Sequence, residues 1–521
     1  MRKFITVLLA FSFLLPLQAF AADQGDLLQK IEALSKELDR MKQQMQEMQK
    51  KDETKEQRIT VVEKKAEAVA GPSWLTIGGD FRTRMDSLHA KSVDIGGAGK
   101  VLFGPNPQGK DVANDALMTN RFGLNLQAKA TEDVTVKARL LMYKIWGHES
   151  ESPVAAGNTA GGNAFFADRF FNFDGNIGHI PKDNTLRVDQ AYATWSNVLN
   201  APVWFSVGRR PSTGGVPTNI RQNAEKIGSA GTPGLLIDYA FDGGTLGYAP
   251  DIDALPGAYA KFCFGKGFDS GFRLGSTANA NDVKDVWFVG LNVVPYDTDT
   301  FHTEIQYSRA LNIFAFPESN TFYGVPNTNV GDIDQLGAVI SGKINNLGIG
   351  DLNLFLSPGM SRTHPNSNAM DLAGFGAGKY GLLWDPGTEQ KSRTGYAVYL
   401  GGRYDIKKTG TKLGLEYNHG TKNWITFAPA ADDLWTGKLG TRGNVYEAYV
   451  IQELNKKPIA KRGNAFFRLG FQHYDFKYSG SNNWIGAPYK ISDMNTSFTV
   501  PQMFAPLKSA NDIYLTFDVT F

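Results

Sequence analysis

Period-2 alternation of apolar and polar residues recurs from residue 73 to the C-terminus, and it constrains the fold more than any other feature of this sequence. The last ten residues, 512–521, show it without a break. Their apolar face is formed by Ile513, Leu515, Phe517, Val519 and Phe521. Such alternation is typical of a strand with one apolar and one polar side. Because an apolar strand with a free edge is an aggregation hazard, we expect this strand to close a barrel. An ordinary strand of a soluble β-sandwich is the alternative.

The connections between the alternating segments are sorted by length. Sixteen such segments lie near 74–88, 122–128, 134–142, 185–196, 202–210, 233–242, 257–266, 285–294, 300–313, 333–344, 351–361, 393–405, 412–421, 443–454, 464–478 and 511–521. Long and short connections alternate, except at 243–256, where a strand pair could be missed. Short turns at one end and long loops at the other are typical of a membrane barrel. The sequence therefore predicts an all-β, antiparallel, up-and-down transmembrane barrel of about sixteen strands (range 14–18) over residues 73–521.

The N-terminus has the pattern of an export signal. Arg2 and Lys3 precede an apolar run over residues 4–17 and the tripeptide Ala-Phe-Ala at 19–21. This order predicts a cleaved signal peptide over residues 1–21. A membrane anchor is the alternative, but the run is shorter than the roughly 20 residues that a spanning helix needs.

Charge and cysteine content exclude several classes of function. Without Arg2 and Lys3, the 54 basic residues become 52, which equals the 52 acidic residues. This balance gives no support for a nucleic-acid partner. The single cysteine, Cys263, excludes an internal disulfide and a thiolate-rich metal site. The sequence predicts no cofactor and no metal.

A heptad repeat lies between the signal and the barrel, within residues 22–72. The apolar positions step by four and three, and the seam begins with Leu27, Ile31, Leu34, Leu38, Met41, Met45 and Met48. A sustained narrow seam predicts an α-helical coiled coil that joins copies of the chain into a homo-oligomer. An amphipathic helix that packs on the same chain is the alternative.

Residues that alternate with the apolar positions are predicted to face the inside of the barrel, because a basic residue facing lipid at the midplane costs about 2–4 kcal/mol. The charged residues on this face include Arg82, Arg84, Arg121, Lys129, Lys137, Arg139, Arg187, Arg210, Glu304, Arg403, Glu416 and Asp518. A basic wall over the first three strands would attract anions into a narrow channel. Alternatively, its arginines are ordinary solvated lining, paired with Asp80, Asp86 and Asp189.

Two stretches resemble a known family. Residues 187–195 (RVDQAYATW) and 203–211 (VWFSVGRRP) resemble a strand pair of Gram-negative outer-membrane porins. The terminal Phe521 resembles the C-terminal signal of such barrels. The resemblance implies an outer-membrane location with lipid as a partner, a periplasmic coiled coil, and a trimer by analogy.

The resemblance also implies a constriction. In porins the third long loop often folds into the barrel, and here that loop is 211–232. Its candidate residues are Pro211, Arg221, Glu225 and Lys226.

Together these features predict a porin that passes small polar or anionic solutes by passive diffusion. One alternative is a barrel that sheathes a partner cytochrome in an electron conduit. Another is a structural tether whose coiled coil contacts peptidoglycan or a periplasmic protein. The seven histidines show no His-Glu-x-x-His motif, and although His302 and Glu304 share a strand face, the sequence predicts no enzyme.

Overall fold

Sixteen antiparallel strands close into a barrel in the computed structural model. The structure describes residues 74–95, 101–102, 109–147, 181, 183–226, 228, 231–271, 283–315, 328–371, 378–428, 432–454, 463–481, 483–503 and 505–521. The predicted signal peptide and coiled-coil seam lie outside these residues. Within the described residues, no α-helix is long and apolar enough to cross a membrane.

The strands follow the chain order around the barrel. They are β1 (Leu75–Ser92), β2 (Asp111–Lys129), β3 (Val134–Ile145), β4 (Arg187–Trp195), β5 (Val203–Ser212), β6 (Tyr239–Tyr248), β7 (Tyr259–Phe268), β8 (Val286–Asp297), β9 (Phe301–Phe314), β10 (Asn329–Leu347), β11 (Gly350–Pro365), β14 (Thr394–Ile406), β15 (Thr411–Gly420), β16 (Gly443–Glu453), β17 (Asn464–Phe476) and β18 (Leu507–Thr520). The two-residue strands β12 (Met370–Asp371) and β13 (Lys379–Tyr380) pair with each other. The prediction of an antiparallel barrel of about sixteen strands is confirmed.

The last strand closes the ring as predicted. β18 pairs with β17 on one side and with β1 on the other, and Phe517 stands opposite Thr83. Along β18 Ile513 and Leu515 are exposed, whereas Tyr514 and Thr516 are buried. Phe521 continues the pairing, because its backbone N–H donates to the Gly79 carbonyl at 2.9 Å.

One predicted strand was wrong. The sixth strand is β6 at 239–248, not 233–242, and the segment 249–258 is a ten-residue connection that contains no further strand. The apolar run Leu235–Ile237 suggested a strand, but these residues are buried inside a loop. Gly243 and Gly244 lie within β6, where a side chain at position 243 would meet the Phe264 carbonyl oxygen at 2.1 Å. A sheet that approaches this closely needs glycine.

With β6 corrected, the connections alternate in length without exception. The short connections span 2 to 10 residues and the long ones 14 to 41. We number the long connections from the N-terminus, so that L3 is 213–238, L6 is 366–393, L7 is 421–442 and L8 is 477–506. The proline at 211 therefore belongs to β5, where it stands opposite Ala240, and not to the loop.

The outer surface is apolar and carries aromatic residues toward both ends. Its exposed aliphatic residues include Leu246, Leu291, Leu336, Ile340, Leu354, Leu400 and Leu413. Exposed rings lie at the short-connection end (Tyr248 and Phe301) and at the long-loop end (Trp287, Tyr396 and Tyr446). An aliphatic band between aromatic girdles is the surface that a barrel presents to a bilayer.

Candidate functional site

The inner surface of strands β1–β3 carries the predicted arginines, and each of them has a carboxylate partner. Within the wall, Arg139 pairs with Asp80 at 2.6 Å and Arg84 pairs with Asp86 at 2.6 Å. Arg139 also approaches Asp189 on β4 at 3.5 Å. These are the ion pairs that the sequence left open as the alternative to a free basic wall.

Loop L7 supplies a further partner from inside the barrel. The carboxylate of Asp432 accepts a hydrogen bond from Arg82 at 2.5 Å, and it lies 3.6 Å from Arg121 and 3.5 Å from Arg468. Arg84 donates to the Asp432 backbone carbonyl at 2.9 Å. Burial alone would raise the pKa of the Asp432 carboxyl, but these guanidinium groups hold it well below its ordinary value. The loop is therefore held by one carboxylate that Arg82, Arg121 and Arg468 share, and by the backbone carbonyl that Arg84 contacts.

Loop L3 crosses the lumen. It leaves β5 and reaches strands on the opposite side of the ring, where Arg468 of β17 donates to the Arg221 carbonyl at 2.8 Å. Arg403 of β14 donates to the Ile220 carbonyl. The side chain of Asn223 accepts a hydrogen bond from Lys412 of β15 at 2.6 Å. A short helix, α1 (Thr218–Arg221), forms the part of the loop that meets this wall.

The two loops meet at a second charged cluster. Arg221 of L3 donates to Asp433 of L7 at 2.6 Å and to Glu447 of β16 at 3.1 Å. Lys438 of L7 donates to Glu447 at 2.5 Å and also pairs with Glu416 of β15. Because all five side chains are buried, each charge depends on its partners for the solvation that water would supply.

Apolar residues of L3 and L7 pack together beside this cluster. Ile237 and Phe427 form a parallel β-bridge, in which the Phe427 N–H donates to the Leu236 carbonyl at 2.9 Å. Trp424 is fully buried, and its indole N–H donates to the Leu439 carbonyl at 2.7 Å. The lumen therefore contains a small hydrophobic core of its own. Burial of these apolar side chains holds L3 and L7 in place more strongly than polar contacts of a solvated loop would.

The other predicted residues lie in varied surroundings. Asp518 pairs with Arg82 at 2.5 Å, and Arg403 pairs with Asp405 at 2.7 Å. Lys129 and Lys137 are exposed near the short-connection end, and Arg187 pairs with Asp183 at 3.1 Å.

Loop L3 holds the remaining candidates of the constriction. Lys226 pairs with Asp297 at the end of β8, whereas Glu225 is exposed. On the strands nearby, Glu304 accepts a hydrogen bond from Asn292 at 2.5 Å, and the Arg210 guanidinium lies 5.6 Å from the centre of the Tyr192 ring.

Sequence reasoning missed the residues of L7, including Asp432, Asp433 and Lys438. One signal was present in the sequence, because two adjacent acids stand between two tryptophans, Trp424 and Trp435. Tryptophan in a long loop indicates burial, and acids beside it then need cationic partners.

A buried arginine joins L7 to L8. Arg442 donates to the carbonyls of Trp424 at 3.0 Å, Gly480 at 2.6 Å and Asn483 at 2.6 Å. No carboxylate pairs with it among the described residues, and burial lowers the pKa of its guanidinium to about 9. The charge at neutral pH is thus solvated by backbone oxygens of two loops.

Replacing Arg442 with methionine is expected to loosen both loops. Each carbonyl left without a donor costs about 1–3 kcal/mol, so the midpoint temperature of unfolding should fall and L8 should become sensitive to protease. Arg393→Met is the matched control, because Arg393 is half-buried and donates to two carbonyls within L6. Equal effects of the two substitutions would show that Arg442 holds L7 and L8 together no more strongly than Arg393 holds L6.

Comparison with known proteins identifies the family of this chain. Among solved structures, the in-vitro folded trimer form of OmpT, an outer membrane protein of Vibrio cholerae, is 12% identical, with a TM-score of 0.38 over 86% of this chain and 99% of that one. OmpF of Salmonella typhi, in a complex with daunomycin, is 10% identical, with a TM-score of 0.39 over 85% and 97%. No curated protein sequence matches. The family model of DUF3373, described as a protein of unknown function, matches residues 111–521, and the chain therefore belongs to that family.

Proposed function

We propose that the protein is an outer-membrane channel of a Gram-negative bacterium, in which small polar or anionic solutes diffuse through a lumen narrowed by L3 and L7. The observation that carries this proposal is the path of L3, which crosses the barrel from β5 to contacts on β14, β15 and β17. A loop held across a polar lumen limits the size of what passes. The apolar outer surface with its two aromatic girdles supports a place in a bilayer.

The sequence predicted anion selectivity from a basic wall whose arginines are free, and the ion pairs in the structure change this proposal. Arg82, Arg84 and Arg121 are neutralised by wall carboxylates and by Asp432 of L7. They attract anions more strongly when L7 leaves its seat, because the wall then loses the negative charge of Asp432 that Arg82 and Arg121 share. The channel is therefore proposed to be narrow with L7 seated, and wider and anion-selective without it.

The cytochrome sheath is the second candidate, and the loops disfavour it. A sheath needs a lumen wide enough for a haem protein, whereas L3 and L7 occupy the interior of this barrel with buried residues such as Leu236 and Trp424. Assembly into an oligomer through the coiled coil, and a tether to peptidoglycan or a periplasmic protein, remain proposals that rest on the sequence pattern.

Planar-bilayer recording of the purified protein tests the channel. We expect small conductance steps in the wild type, and larger steps when residues 423–440 of L7 are replaced by a short glycine–serine linker. A salt gradient across the bilayer then gives the ion selectivity of each form. A lack of conductance in both forms, together with haem that co-purifies from the native membrane, would favour the sheath instead.

A further inference from the structure

A cavity lies between the inner face of strands β5–β9 and the returning part of L3. It holds about 50 Å³ of space, and its lining includes Arg210, Thr232, Thr245, Cys263, Gln306 and Ser308. Four glycines of the wall, at 243, 244, 265 and 290, line it without a side chain. A water molecule needs roughly 10–15 Å³ of such space, so there is room for a few waters or for one small ion.

Arg210 is the only cationic residue that lines this cavity, and it lacks a carboxylate partner among the described residues. Its side chain is 7% exposed, and its Nε and Nη1 atoms make no hydrogen bond within the part of the chain that the structure describes. The contact that it makes with the Tyr192 ring, at 5.6 Å, does not satisfy these donors. A buried guanidinium with two nitrogen atoms that donate no hydrogen bond is costly unless an acceptor from solution fills the space.

A second cation lies on the same wall. Lys261 stands two residues before Cys263 on β7, so that both point to the same face. Lys261 is 2% exposed and donates to the Gly231 carbonyl of L3. The acidic residue whose charge reaches it, Glu304, is hydrogen bonded to Asn292 at 2.5 Å. Arg210 and Lys261 together carry two positive charges against the one negative charge of Glu304, so the net charge of these three residues is positive.

The neutral polar groups of the lining can turn toward a ligand. The Thr245 hydroxyl donates to the Cys263 sulfur at 3.4 Å, and the Ser308 hydroxyl donates to Gln335 at 3.4 Å. The Thr232 hydroxyl has carbonyl contacts at 3.4 Å. Bonds to oxygen of this length are weak, so these hydroxyls can exchange them for a charged acceptor.

We propose that Arg210, with Lys261 beside it, binds one small monovalent anion, such as chloride or nitrate, in this cavity beneath L3. The site differs from the arginines of β1–β3, which have protein carboxylates as partners. It is also independent of the channel proposal, because a counterion of Arg210 would occupy the cavity whether or not the barrel conducts. The anion would additionally fill the space under L3 and so support its returning part.

The only cysteine of the chain lines the cavity and serves as its probe. We expect nitrate to slow the reaction of Cys263 with iodoacetamide at least about threefold in the intact protein, compared with gluconate at equal ionic strength. Gluconate is too large for the cavity. Arg210→Gln should abolish this protection, whereas the neighbouring Arg209→Gln, the matched control, should keep it. Equal rates in nitrate and gluconate for the wild type would overturn the proposal.

Thermal unfolding is a second test of the site, which does not depend on the reactivity of Cys263 and shows whether each variant folds. Nitrate should raise the midpoint temperature of unfolding of the wild type and of Arg209→Gln relative to gluconate, because a ligand that binds the folded state stabilises it. Thr245→Val keeps the charge of Arg210 and removes one hydroxyl, so it should need several-fold more nitrate for the same shift. An identical shift in the wild type and in Arg210→Gln, or no shift in the wild type, would refute the site.

Discussion

Asp432→Asn is expected to release L7 and to produce a wider, anion-selective channel. The substitution keeps the size of the side chain but removes the charge that Arg82, Arg121 and Arg468 share. Breaking a buried ion pair from one side costs about 3–5 kcal/mol, because the remaining charges are left uncompensated. At about 1.4 kcal/mol per factor of ten, the equilibrium between the seated and the released loop shifts by roughly two to four orders of magnitude.

Single-channel conductance and reversal potential in a salt gradient measure this effect. Conductance should rise several-fold, and the reversal potential should move toward that of the anion. Asp253→Asn provides the control, since Asp253 is exposed on a short connection and should leave both values unchanged. If Asp432→Asn conducts like the wild type with the same selectivity, the shared carboxylate does not hold the loop.

The pH dependence of the wild type follows from the same group. The carboxyl of Asp432 has a pKa well below the ordinary value of 3.8 in the folded protein. Its stabilising effect is therefore complete above about pH 4, and it is lost only as the pH falls below 3.8 through the folded-state pKa. Because the Asp432 carboxyl stays ionised over this range, it should keep L7 seated and the wild-type conductance constant from pH 7 to about pH 4.5. The Asp432→Asn channel should show its larger conductance over the same pH range.

Arg221→Met is expected to free L3 from the opposite wall. Arg221 is the L3 side chain that contacts both Asp433 of L7 and Glu447 of β16, so its loss leaves two buried carboxylates with fewer partners. Glu447 keeps Lys438 as a cationic partner, so the substitution should destabilise the charge of Asp433 more than that of Glu447. We expect lower resistance to denaturant and a conductance increase similar to that of Asp432→Asn, because the two loops share hydrogen bonds and a hydrophobic core.

A double-mutant cycle of Arg221→Met with Asp433→Asn measures the link between L3 and L7. Residues in one ion-pair network typically couple by about 0.5–3 kcal/mol, so the double variant should be more stable than the sum of the single effects predicts. Arg309→Met is the control, because Arg309 pairs with Asp332 at 2.9 Å but is one-third exposed, and such pairs contribute little. Additive free energies of unfolding would show that the loops are held independently.

Much of the barrel could be predicted from the sequence because its determinants are local. Alternation in β18 identifies a strand by itself, and the turn at 130–133 pairs its neighbours β2 and β3 by proximity alone. The prediction failed at 233–242, because an apolar run inside L3 resembles a strand, while the true strand β6 contains two adjacent glycines that weaken its strand pattern. A period of two cannot distinguish a short apolar run that packs on a lipid-facing wall from one that packs on another loop.

Sequence alone predicted about sixteen strands, the alternation of short and long connections with one exception, and many of the charged residues on the inner faces of the strands. Each follows from spacing along the chain. Only the tertiary structure decided which charges meet. Asp432 is separated from Arg82 by 350 positions in the sequence. No periodic pattern in the sequence predicts that L7 folds back to bring Asp432 to Arg82 and Arg121. The same holds for Arg210, which has no carboxylate partner among the residues that the structure describes, because its neighbours are set by the folded wall around it. Charge composition follows from the residues, but charge pairing depends on where two long loops fold within the barrel.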